Sequence, residues 1–322
     1  MGIGSRSTLR AVRKITAILA FSLVASASAQ QPAFRGASDT VRLFATVTDR
    51  DGRLVPSLTR DQFEVRDEGR PQPITVFDNS PQPIRLIVML DVSGSMTGNL
   101  PLLSAATEQL IGALRPDDRV RIGSFGHDVR ISPEFTRDLH TLRMALPDTI
   151  APDAPTPLWR AIDEASAAFG DDRDERRVVL VLSDGKDSGP ISFRQRFVSQ
   201  VEVIERAREQ DVMVYAVGMR SRGGRPMPPG IGPGGLRQAL VDDLPDPGLA
   251  RVAEETGGGY TEIRFGQDLA AEFARVADEL HRQYLIGFAP PKRDGKVHDI
   301  EVRVSERGLR ARARKSYVAA KG

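Results

Sequence analysis

Ile84-Arg85-Leu86-Ile87-Val88-Met89-Leu90-Asp91-Val92-Ser93-Gly94-Ser95 is the stretch on which the fold turns. Its first seven residues are apolar apart from Arg85 and show no polar alternation, the pattern of a central strand buried on both faces. The run stops at an aspartate and passes into a short Ser-Gly-Ser loop. Val178-Val179-Leu180-Val181-Leu182 repeats the pattern and stops in the same way, at Ser183-Asp184-Gly185. Between and beyond these runs, helical spacing occurs at 102–114, 138–146, 158–169, 198–209, 248–256 and 268–283. Strand patterns fall at 119–125, 212–218 and 260–263. Strands that alternate with helices predict an α/β fold with a doubly wound, mostly parallel sheet.

The flanks read differently. Residues 41–48, 63–66 and 74–77 are short β-type runs, the first followed by an Asp51-Gly52 turn. Residues 284–288, 297–304 and 309–317 are strands again. Neither group suffices for an independent sheet, so the two are expected to pair as one small β module. The division is then a leader at 1–29, an N-terminal β module at 30–83, the α/β domain at 84–283 and a C-terminal β segment at 284–322. Within the α/β domain, 219–247 is rich in Gly and Pro without periodicity, which predicts a long loop. It leaves a strand at the carboxyl end and is expected to rim the same edge as Asp91.

The leader carries Arg6, Arg10, Arg13 and Lys14, then an apolar stretch too short to span a bilayer, then a small-x-small site at Ala27-Ser28-Ala29. A cleaved signal peptide and a periplasmic or secreted protein with no transmembrane anchor are expected. The formal charge of +2 then changes sign, because the leader's four basic residues leave 41 basic against 43 acidic. Nucleic acid is not implied as a partner. The chain has no cysteine, which excludes disulfides, thiolate metal sites, a cysteine nucleophile and a lipidated N-terminal cysteine.

Ligands of open α/β sheets bind at the carboxyl ends of the strands, where strand order reverses. Asp91, Ser93, Ser95 and Asp184 follow two such ends, and Thr156 opens a helix between them in sequence. Two carboxylates and three hydroxyls form an oxygen donor set suited to a hard divalent cation such as Mg²⁺. Ser/Asp groups near strand ends also cap helices, so the grouping matters more than any member. Asp187 reads first as a solvated loop carboxylate, with a role behind the ligands as the alternative.

Asp91-Val92-Ser93-Gly94-Ser95 resembles the D-x-S-x-S signature of the metal-ion-dependent adhesion site in von Willebrand factor A domains. Leu182-Ser183-Asp184-Gly185 resembles that family's strand-end aspartate motif. Thr156 matches its third-loop threonine, although Pro155 stands where the family usually has Gly. The resemblance covers about residues 84–283, and the flanking β segments are similar to those of exported bacterial proteins of this group. It implies that Asp91, Ser93, Ser95 and Thr156 hold the metal directly or through water, with Asp184 often through water. It also implies that an acidic side chain of a protein partner completes the coordination. Mg²⁺ is the first expectation, with Mn²⁺ and Ca²⁺ compatible with the same donors.

Two other readings compete. A scaffold protein could use the metal only to stabilise its fold. A serine hydrolase would need a base for Ser93 or Ser95, but neither serine sits in G-x-S-x-G. His127 reads as a surface loop residue, and His140, His281 and His298 read as solvated. Gly-rich 223–235 lacks a P-loop lysine. Arg307, Arg310, Arg312, Arg314 and Lys315 read as a solvated sheet face. The expectation is a non-enzymatic, metal-dependent adhesion or interaction module.

Overall fold

The computed structural model describes residues 40–170, 175–189, 196–220, 244–263 and 268–321. The expected leader and most of the 219–247 loop lie outside the described residues.

The central sheet is built on β5 (Ile84–Asp91). It pairs in parallel with β6 (Arg119–Phe125) on one side and β8 (Arg176–Ser183) on the other. β9 (Val212–Met219) and β10 (Tyr260–Ile263) extend the sheet beyond β8, also in parallel. A short β7 (Val129–Ile131) adds antiparallel to β6, so the six-stranded order is β10-β9-β8-β5-β6-β7. Strand order reverses at β5. Asp91 therefore ends the strand beside which a ligand crevice forms in this class of sheet.

Both faces of the sheet are covered, which is why its central strands are apolar at consecutive positions. Leu86, Val88 and Leu90 pack with α1 (Leu100–Gly112) and α6 (Leu269–His281) through Leu103, Leu110, Phe273 and Leu280. Ile87 and Met89 pack on the other face with α3 (Leu158–Ala167), α4 (Gln200–Gln210) and α5 (Gly248–Thr256). The one-turn-and-a-half α2 (Leu139–Met144) contributes Leu142 to the first layer.

Chain segments before and after this domain pair with each other. β1 (Val41–Thr48) runs antiparallel to β11 (Tyr284–Phe288), which also pairs with β4 (Ile74–Asp78). β2 (Phe63–Asp67) pairs with β3 (Arg70–Gln72) and with β12 (Val297–Val304). β13 (Arg310–Arg312) joins the first of these sheets and β14 (Ser316–Val318) the second. Both sheets share one apolar core that includes Leu43, Val65, Tyr284, Phe288 and Ile300. The single strand expected over 309–317 is divided in two. Lys315 N turns aside to donate to Glu255 O at the end of α5 (3.1 Å), so the chain crosses from one sheet to the other.

Polar groups tie this β region to the α/β domain. Glu279 is buried on α6 and accepts hydrogen bonds from Tyr215 Oη (2.6 Å), Thr46 Oγ1 (3.0 Å) and the Arg312 guanidinium. Gln283 Nε2 donates to Thr46 Oγ1 (2.6 Å) and Tyr215 Oη (3.0 Å). The expectation of a solvated basic face is corrected here in part. Arg312 turns inward to Glu279 and Arg314 to Asp211, because each finds a carboxylate on the neighbouring domain. Arg307, Arg310 and Lys315 remain exposed.

Two histidines are likewise buried rather than solvated. His281 and His298 are 6% and 4% exposed, each against a buried aspartate. Asp118 Oδ1 accepts from Ile84 N (3.1 Å), and its Oδ2 accepts from Arg115 N (2.6 Å) and faces His281 Nε2 at 2.8 Å. Asp118→Ala strands Ile84 N and His281 in a buried site, where each unmet polar group costs roughly 1–3 kcal/mol. It is expected to lower stability by at least about 2 kcal/mol, read as a lower midpoint in equilibrium urea unfolding.

Candidate metal centre

The centre begins with a buried charge. Asp91 is 0% exposed at the end of β5. Its Oδ1 accepts from Ser93 N (2.8 Å), which folds the loop back over the strand end. Its Oδ2 accepts from Ser183 Oγ at the end of β8. Asp91 thus binds two adjacent strand ends together from below.

Above it lies a row of oxygens. Ser93 opens a single 3₁₀ turn, Gly94–Met96, whose Met96 is buried in the core and pins the turn down. That turn brings Ser93 Oγ to 3.0 Å from Ser95 Oγ. Ser95 Oγ in turn donates to Asp184 Oδ1 at 2.7 Å. Ser93 and Asp184 are buried, whereas Ser95 is exposed. The row therefore rises from the interior to the surface.

The third loop approaches through two glycines. A Cβ on Gly94 would lie 2.0 Å from Pro152 O, so only glycine lets the serine loop dock on 152–154, where Gly94 N donates to Ala154 O (2.9 Å). A Cβ on Gly185 would lie 2.8 Å from Thr156 Oγ1. The Thr156 side chain thus rests on the backbone directly after Asp184, and Thr156 O accepts from Ser188 N (2.9 Å). All five candidate ligand residues stand on three interlocked loops at one sheet edge.

Asp187 is placed differently. Its Oδ1 accepts from Trp159 N (3.1 Å) at the start of α3 and its Oδ2 from Gly189 N (2.9 Å), so it caps a helix and holds the Thr156 loop in position. It is half-buried rather than solvated. Asp246, absent from the sequence reading, accepts from Asp187 N (3.2 Å) and Gly248 N (2.8 Å). The signal for it was Asp246-Pro247 immediately ahead of the helix that starts at Gly248. Ser183 was also missed as a partner of Asp91, although its hydroxyl at a strand end beside the aspartate motif was in view. His127, at the carboxyl end of β6, is exposed with Nε2 3.4 Å from Asp153 Oδ1. Of the 219–247 loop, Met219 ends β9, Leu244 to Pro247 return beside Asp187, and 221–243 lie outside the described residues.

The electrostatics favour a cation. Burial pushes the Asp91 carboxyl up to about 7, and the nearby charge of Asp184 pushes in the same direction, against the hydrogen bonds from Ser183 and Ser93. Two buried carboxylates beside hydroxyl oxygens are what a hard dication requires, and its charge relieves their repulsion. The donor set fits.

In the unfolded chain Asp91 ionises near its ordinary value of 3.8, but in the cation-free fold only near 7. Its contribution to stability is complete below about pH 4 and is lost as pH rises through about 7, a change of up to a few kcal/mol. Urea unfolding in chelator is therefore expected to give lower stability at pH 8 than at pH 5.5. Added divalent cation should restore much more stability at the higher pH. Gly94→Ala, which pushes the serine loop off Pro152, should weaken cation binding at least tenfold by calorimetry.

Residues 86–186 match the family profile described as the von Willebrand factor type A domain. No curated protein sequence matches the chain. Among solved structures it is similar to conserved hypothetical protein BatB from Bacteroides thetaiotaomicron, at 20% identity over 61% of this chain and 98% of that one, with a TM-score of 0.45. A von Willebrand factor type A protein from Catenulispora acidiphila is similar at 12% identity over 86% and 74% of the two chains, TM-score 0.46. Proximal thread matrix protein 1 from the mussel byssus, a structure with a zinc-occupied MIDAS motif, is similar at 14% identity over 67% and 50%, TM-score 0.45. On the match over residues 86–186, the chain carries a von Willebrand factor type A domain.

Proposed function

We propose that this protein is an exported interaction module that binds a divalent cation, Mg²⁺ first, through Asp91, Ser93, Ser95, Thr156 and Asp184, and through that cation a carboxylate of a protein partner. The observation that carries the reading is the row of oxygens running from buried Asp91 and Asp184 to exposed Ser95. Two carboxylates balance a dication's charge without enclosing it, and the remaining donors are neutral hydroxyls. Such an ion stays electrophilic on its exposed side, where an Asp or Glu side chain supplies the missing oxygen. The chain's own residues fix the ion's depth and direction, and no covalent bond changes.

A binding role is also supported by what surrounds the serines. Ser95 Oγ donates to a carboxylate and Ser93 Oγ faces Ser95 Oγ, and among the described residues neither hydroxyl bonds a histidine. No helix of the described residues is long and apolar enough to cross a membrane. Export itself rests on the leader pattern at 1–29.

The test is cross-linked capture of partners from an extracytoplasmic extract, with and without chelator and with free glutamate as competitor. Capture should require cation, fall at least tenfold in Ser95→Ala, and be inhibited by glutamate. If Asp91→Ala lowers only stability and capture persists in chelator, the cation is structural and the module is a scaffold.

A further inference from the structure

The β region holds a second set of metal-ligating side chains, on strands separate from the loops around Asp91. β2 ends at Asp67, and the Glu68-Gly69 turn carries the chain into β3. Across the sheet, His298 lies in β12 opposite Tyr317 of β14. The Asp67 side chain is 0% exposed and that of His298 5% exposed, so both have lost bulk water. His298 Nδ1 is 3.0 Å from Asp67 Oδ1, and its Nε2 is 3.2 Å from Asp294 Oδ1. Tyr317 Oη donates to Asp67 Oδ2 (3.3 Å). Glu68 closes the group from the exposed side, where its Oε1 also accepts from Asp299 N (2.9 Å). One oxygen each of Asp67 and Glu68 and one ring nitrogen of His298 all lie within 4.8 Å of one another.

The charge around the imidazole is the reason to look beyond an ion pair. Asp67, Glu68 and Asp294 bring three carboxylates to one histidine. A protonated ring answers them with a single positive charge. A neutral ring and a dication answer with two, and they do so where Asp67 has no solvent to share its charge with. The geometry agrees. Ligands at about 2.0–2.1 Å from a tetrahedral ion lie roughly 3.3 Å apart, close to the separation of Asp67 and His298. Glu68, being exposed, can turn its carboxylate without disturbing the core. A carboxylate on the far ring nitrogen, as Asp294 provides, is how metal-binding histidines are oriented.

We propose that Asp67, Glu68 and His298 bind a transition-metal dication of the zinc class, with Asp294 orienting the imidazole. Mixed imidazole and carboxylate donors select such an ion over Mg²⁺, in contrast to the all-oxygen centre at Asp91. The ion would clamp the β2–β3 hairpin to β12, joining segments 231 residues apart in the chain. Asp67 and His298 are structural in any case, so the exposed Glu68 and the outer Asp294 are the informative positions.

The experiment is calorimetric titration of the full chain with ZnCl₂ alone, comparing Glu68→Gln, Asp294→Asn and Asp91→Ala with the parent. Glu68→Gln should lose one tight zinc equivalent with unchanged circular dichroism, and Asp294→Asn should bind that equivalent about 10–100-fold more weakly. Asp91→Ala should retain it, which separates this site from the A-domain centre even if the latter takes no zinc. Unchanged stoichiometry and affinity in both Glu68→Gln and Asp294→Asn would overturn the proposal. So would loss of the only zinc equivalent in Asp91→Ala.

Discussion

A carboxylate held without solvent at the end of the central strand is the constraint from which the rest of this domain follows. Isolated in an apolar interior, an ionised aspartate is too costly to retain, and it must be given donors, a counter-charge or a proton. Asp91 accepts from Ser93 N, in the loop it organises, and from Ser183 Oγ, at the end of the neighbouring strand. Asp184 beside it adds a like charge rather than relief, which leaves a proton or a cation to complete the balance. The same arrangement dictates the neighbouring sequence. β8 must end in a hydroxyl, and the serine loop must contain a residue with no Cβ where it meets Pro152.

How legible this was depended on the distance over which the deciding interaction acts. β5, β8 and β9 were readable because burial on both faces writes a continuous apolar run into the strand itself. Asp91, Ser93, Ser95, Thr156 and Asp184 were readable because they occupy strand ends and a helix start, and the structure gathers them on interlocked loops. β3 and β7, three residues each, carry too little sequence to show a period. His281 and His298 could not be read as buried from their charged neighbours. Their partners lie 163 and 231 residues away, and only the fold supplies Asp118 and Asp67. Arg312 is the same case, a residue on an alternating basic strand that becomes the partner of a buried glutamate on α6.

Asp187 shows a subtler limit. Its position after the strand-end motif fits a group behind the metal ligands and fits a loop carboxylate equally well. The structure gives it a third task, capping α3 through Trp159 N while Asp246 holds its own backbone. A capping interaction between segments distant in sequence looks like any exposed aspartate until the helix is placed. Its consequence still reaches the candidate centre, because the helix it caps begins two residues after Thr156.

The β region is fastened to the α/β domain away from Asp91. Its polar attachments gather at the amino end of the central strands. Arg176, the first residue of β8, stacks over Phe44 of β1 and bonds Leu280 O, and Gln283 bridges to Thr46. Ser183, the last residue of β8, bonds Asp91 at the other end. Seven residue steps at about 3.3 Å separate these two sets of contacts by roughly 23 Å. Attachment at one end and oxygen donors at the other let the flanking strands be fastened by a buried network without covering the loop edge. Among the described residues, the flanking strands pair in sheets of their own and not with the central sheet, so a partner binding as proposed at the row above Asp91 would not have to displace them.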